Sequence, residues 1–170
     1  MDSYKSKTRS KYASQLFAVN DFAAEYELKL YKEHNAKPLK TEKIKSYIDS
    51  VNFFHKIWAR NSIGISETLM AIYLNRANDV IGWICLSSGG ISGTLCDTKM
   101  AILPAVKLLA SGMIIAHNHP SGNNKPSEHD NSMTKKLKHA CELLDITLLD
   151  SIIITEDKDK YYSYASEGKL

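Results

Sequence analysis

Two imidazoles, a hydroxyl and a carboxylate fall within fourteen residues, in His117-Asn118-His119-Pro120-Ser121-Gly122 and Pro126-Ser127-Glu128-His129-Asp130. The apolar run Met113 to Ala116 just before them reads as a buried strand. Residues two apart on a strand share a face, so His117 and His119 aim at one point. The Pro-Ser-Gly turn then reverses the chain, and a helix starting near Ser127 returns Asp130 to that point. Two imidazoles and one carboxylate, with a fourth position left to water, form the ligand set of a catalytic zinc.

Plainer readings stand beside this one. A lone buried histidine is usually structural, but a pair at i and i+2 before a tight turn is harder to explain that way. The spelling His-Asn-His also suggests the HNH nucleases, but there the named residues are spread over tens of positions. Ser127-x-x-Asp130 is the pattern of a capping box, in which each side chain satisfies orphan backbone donors. Coupled to the histidine pair, Asp130 becomes a third ligand and Ser127 a donor to an oxyanion. Glu67 opens a strand, where a glutamate is commonly a solvated edge residue. Its functional case rests on need, because a metal-bound water still requires a base. His34, His55, His129 and His139 read as surface or boundary residues, with His129 placed beside Asp130 as a candidate second-layer group. Lys135, Lys136 and Lys138, with Lys125, read as a solvated face, with contact to phosphate as the alternative.

These residues need elements to position them. Residues 1–22 alternate Lys or Arg with Ser and Tyr and read as a basic, flexible arm; residues 23–170 read as the domain. Glu25 to Lys32 alternates as a half-buried strand, and Thr41 to Trp58 carries apolar residues at helical spacing. Glu67 to Asn75 and Val80 to Leu86 form a hairpin across Asn75–Asp79, followed by a flexible turn at Ser87-Ser88-Gly89-Gly90. Asp97 caps a helix running to about Ser111, with a kink or a broken first turn at Pro104. The next helix, Glu128 to Leu144, has an apolar stripe of Met133, Leu137, Ala140, Cys141 and Leu144. Ile146 to Leu149 and Ile152 to Thr155 are strand runs before a polar tail. Strands alternating with helices predict an α/β sheet with helices packed against it.

Composition sets the frame. With 170 residues, 44% hydrophobic and 24% charged, the chain suits a soluble globular domain. No run approaches a membrane span, and the first residues lack the apolar core of an export signal. Cys85, Cys96 and Cys141 form no paired framework, which suits a reducing cytoplasm. A net charge of +3 neither requires nor excludes nucleic acid.

Taken together, Glu67, His117-x-His119 and Ser127-x-x-Asp130 resemble the JAMM (JAB, MPN+) metalloprotease signature. His117 to Gly122, Pro126-Ser127 with Asp130, and Leu148-Leu149-Asp150 closely resemble the bacterial RadC family. The similarity runs from about Glu25 onward and includes Leu74 to Asn78 and Ser88 to Thr94. It implies a cytidine-deaminase-like α/β/α sandwich with a mixed central sheet. It also implies zinc on His117, His119 and Asp130, Glu67 as general acid/base, Ser127 assisting the oxyanion, and hydrolysis of an amide or isopeptide bond. The partner would be a peptide or protein substrate. An alternative is a DNA-repair accessory protein in which the domain serves binding; DNA contact is expected to be weak and salt-dependent. Two departures stand out. No helix-hairpin-helix domain is expected, and Leu149-Asp150-Ser151 stands where relatives often read Leu-Asp-His.

Overall fold

The computed structural model describes residues 42–58, 62–90 and 96–170. The arm expected at 1–22, the strand expected at 25–32, His34 and part of the Ser88–Thr94 similarity lie outside these residues. Among the described residues, three helices and five strands follow in the order α1 (Tyr47–Ile57), β1 (Glu67–Leu74), β2 (Val80–Gly90), α2 (Thr98–Lys107), β3 (Gly112–Asn118), α3 (Glu128–Glu142), β4 (Thr147–Ile154) and β5 (Tyr162–Ser163). The strands form one mixed sheet in the order β2-β1-β3-β4-β5, parallel only between β3 and β4. A parallel pair needs a crossover, and α3 supplies it.

Both faces of the sheet are covered, which makes an α/β/α sandwich. On one face Met70, Ile72 and Leu74 of β1, Ile114 and Ala116 of β3, and Ile152 and Ile154 of β4 pack with Val51 and Phe54 of α1. On the other, Leu69, Ala71, Tyr73, Met113, Ile115 and Leu148 meet Ala101 and Ala105 of α2 and Met133, Leu137 and Cys141 of α3. All seven residues of β3 are buried, so the histidine strand runs through the middle of the molecule. Among the described residues no helix is long and apolar enough to cross a membrane.

Several boundaries differ from the sequence expectations. Helix α1 starts at Tyr47, not Thr41, because Ser46 and Asp49 close a full capping box. Residues 42–44 run extended instead, where Ile44 N–H donates to Asn78 O and Lys43 bridges Asp79. Ser87 to Gly90 is not a turn but the end of β2, whose ladder to Thr68 and Leu69 runs through irregular register. Helix α2 keeps its first turn under the Asp97 cap and runs through Pro104, ending at Lys107 rather than Ser111. Leu109 then adopts φ 51°, and Ala110 N–H turns back to Ala105 O. Helix α3 stops at Glu142; Leu144 is exposed and Ala140 only half-buried, so the stripe reduces to Met133, Leu137 and Cys141.

The two runs expected at 146–149 and 152–155 are one strand, β4. Its register against β3 passes from Met113–Leu148 to Ile114–Asp150, leaving Leu149 as the extra residue of a bulge. The bulge switches the phase of the strand, which is why no single alternation shows in its sequence. The expected polar tail is also structured. Asp150, 3% exposed, accepts from Ser163 Oγ, from Ala165 N–H at 3.0 Å and from Ser151 N–H at 2.8 Å. Burial pushes its carboxyl pKa up against the lowering effect of these donors. Asp150→Ala strands all three donors and is expected to destabilise the domain by roughly 2–4 kcal/mol. A urea midpoint unchanged from wild type would contradict this.

Candidate metal centre

The site sits at the carboxyl end of parallel strand β3, the usual place for a ligand in an open α/β sheet. His117 and His119 leave the strand on one face as their spacing requires. The backbone then departs from the sheet: His119 N–H still donates to Ile154 O at 3.0 Å, and Gly122, at φ 72°, completes the turn. Ser127 caps α3 and Asp130 lies in its first turn, where an acidic group suits the helix dipole.

Three side chains converge there. His117 Nε2 lies 3.0 Å from His119 Nε2 and 3.1 Å from Asp130 Oδ1, and His119 Nε2 lies 3.7 Å from Asp130 Oδ2. His117 and Asp130 are buried and His119 half-buried. His119 Nδ1 stands 2.6 Å from the Asn123 carbonyl oxygen, which can only accept, so Nδ1 carries the proton and a neutral ring turns a bare Nε2 lone pair inward. Among the described residues, buried His117 Nδ1 has no hydrogen-bond partner.

Ser127 joins this cluster through the helix cap. Its amide and its hydroxyl both donate to Asp130 Oδ2, at 2.7 and 2.6 Å, and the hydroxyl accepts from Asp130 N–H at 3.2 Å. The cap and the site are therefore one arrangement, with a single carboxylate serving both. Burial alone would raise the Asp130 pKa, but the contact with His117 and the two Ser127 donors hold it well below the ordinary carboxylate value.

Glu67 comes from the neighbouring strand. The β1–β3 ladder sets Leu69 opposite His117, so half-buried Glu67 lies at the same end of the sheet as His119. His129 and His139 are exposed and His55 is half-buried, as expected. Ser151 is fully buried, and its hydroxyl accepts from Thr134 of α3 at 2.9 Å.

Asn118 is the residue that sequence reasoning passed over. Fully buried between the two histidines, it accepts from Thr68 N–H at 2.7 Å and donates to Ile63 O at 2.6 Å and Ser66 O at 2.9 Å. It thus staples the segment leading into Glu67 to the histidine strand. The available signal was its position: flanked by two residues aimed one way, it must aim the other, into the chain that precedes β1. Asn118→Ala takes the partner from two buried backbone groups and one half-buried one, and is expected to cost roughly 2–4 kcal/mol. A melting temperature unchanged from wild type would show that these bonds hold little.

The profile of the RadC-like JAB domain matches residues 44–169. A UPF0758 protein of Flavobacterium johnsoniae is 45% identical over 102 residues, covering 60% of this chain and 44% of its own length. A UPF0758 protein of Aquifex aeolicus is 42% identical over 104 residues, covering 61% and 44%. One from Porphyromonas gingivalis is 41% identical over 104 residues, covering 61% and 45%. The chain thus spans less than half the length of the curated relatives it matches. With its profile match running from α1 through β5, the chain belongs to the RadC-like JAB domain family.

Proposed function

We propose that this domain is a zinc-dependent metallohydrolase that cleaves an amide or isopeptide bond in a peptide or protein. One observation carries the reading: His117, His119 and Asp130 bring their ligand atoms within 4.8 Å of one another. Lone pairs gathered this closely in a buried place call for a cation. Two ligands held about 2.0–2.1 Å from a tetrahedral zinc stand about 3.3 Å apart, close to the spacing of these donors. Two imidazoles with one carboxylate also suit zinc better than a hard oxygen-seeking ion. The JAB domain family includes metallohydrolases, which adds support.

Bound zinc would supply a water of lowered pKa and a Lewis acid for the substrate carbonyl. Glu67 takes the proton of the attacking water and returns it to the leaving amine. Ser127 turns its hydroxyl proton from Asp130 Oδ2 to the developing oxyanion, while its amide keeps hold of that carboxylate oxygen. Asn123 keeps the Nε2 lone pair of His119 facing the site through its carbonyl.

The test is joint. Purified protein dialysed against zinc at neutral pH is expected to hold about one zinc per chain, and the loaded protein to cleave members of a peptide and isopeptide panel. Protein that takes up no transition metal sinks the proposal. So does stoichiometric zinc with no cleavage across the panel.

A further inference from the structure

Beside the metal centre lies an open groove of about 890 Å³ between α3 and the last residues of the chain. Its two walls carry like charge. Lys125, Lys135 and Lys138 come from the α3 side, and Lys169 from the other. Glu142 pairs with Lys138 at 3.9 Å and with His139 at 3.3 Å, and Glu128 and Asp130 lie within electrostatic reach of Tyr164. The floor is apolar, made by Tyr162, Tyr164 and Leu170.

The groove shares residues with the site's own scaffold. Lys125 leads into the Ser127 cap, and Asn131 follows Asp130 and accepts from Tyr164 Oη at 2.9 Å. The groove therefore borders the start of α3, the stretch that also carries Ser127 and Asp130.

We propose that this groove is a substrate subsite for a peptide segment rich in carboxylate side chains, flanking the bond to be cleaved. The assignment rests on the peptidase reading above and names the substrate class it would favour. Charge complementarity and an apolar floor fit a segment that alternates acidic and apolar residues. The aromatic rings are poorly placed to stack nucleobases. Lys169 Nζ stands 5.6 Å over the Tyr162 ring, and Tyr164 meets that ring edge-on at 83°. A ring covered by a cation on its face presents charge rather than a stacking platform.

Binding can be measured without turnover, which separates this proposal from the peptidase reading. Fluorescence anisotropy would compare a labelled decapeptide of alternating glutamate and leucine, its glutamine–leucine counterpart, and a labelled decathymidylate. The acidic peptide is expected to bind at least about tenfold tighter than the glutamine peptide, and to weaken as salt screens the lysines. Lys135→Glu with Lys169→Glu, one substitution on each wall and both at exposed positions, is expected to remove about tenfold or more of that affinity. His119→Ala is expected to leave peptide binding in place even though it disables the proposed metal site. Two outcomes overturn the subsite: equal binding of the glutamate and glutamine peptides, or an unchanged affinity in the double variant with native circular dichroism. Decathymidylate binding tighter than the acidic peptide and lost in the same variant overturns it in favour of nucleic acid.

Discussion

His119→Ala is expected to lose the metal and the hydrolytic activity together. His119 supplies one of three inward donors, and its removal leaves His117 Nε2 and Asp130 Oδ1 facing each other at 3.1 Å. Two donors do not make a closed protein set for zinc, which takes three protein ligands in its catalytic sites. Equilibrium dialysis followed by elemental analysis reads the effect directly: about one zinc per chain in wild type and none in the variant. A thermal scan gives a second readout. Zinc at a hundred times its dissociation constant should stabilise wild type by about 2.7 kcal/mol and leave His119→Ala unmoved. Equal zinc in the two proteins would falsify the assignment of His119 as a ligand.

Glu67→Gln is expected to separate binding from turnover. The amide keeps the shape of the side chain but cannot take a proton from water at neutral pH. Zinc content should therefore stay at the wild-type level, while cleavage falls by about 10²–10⁴-fold, the usual contribution of a positioned general base. Loss of zinc in this variant would make Glu67 a ligand and overturn its role as base.

Much of the site was legible because it is local. His117 and His119 are one strand period apart, and Ser127 and Asp130 one capping box apart, so two elementary periodicities bring them together. Weighing cap against ligand set two readings in competition that the geometry joins: Ser127 Oγ both caps the helix and grips the carboxylate that faces the histidines. Asn118 was not legible in the same way, since its partners Ile63, Ser66 and Thr68 lie some fifty residues upstream. Nor was the phase switch at Leu149, because a bulge shows only against the partner strand. Ser87 to Gly90 looked like a turn from composition, yet pairing with β1 draws it into the sheet, as tertiary partners commonly override local preference. The C-terminal segment hid for a related reason. Its polar residues are there to satisfy buried Asp150, which reads on paper as a stray charge in an apolar run.

The staple at Asn118 has a consequence for how the domain comes apart. The three proposed ligands close a short loop, whose entropic cost is small, whereas Glu67 comes from fifty positions away, at the end of β1 beyond its last pair with β3, where the Asn118 amide holds the chain. The two halves of the site therefore need not fail at the same point. Mild denaturant or modest warming that frees the 63–68 segment would carry the proposed base away while the cation stayed chelated. Such a population would count as metal-replete by elemental analysis and as dead by turnover. Hydrogen exchange would recognise it, with the amide of Thr68 exchanging early and that of Asp130 still protected.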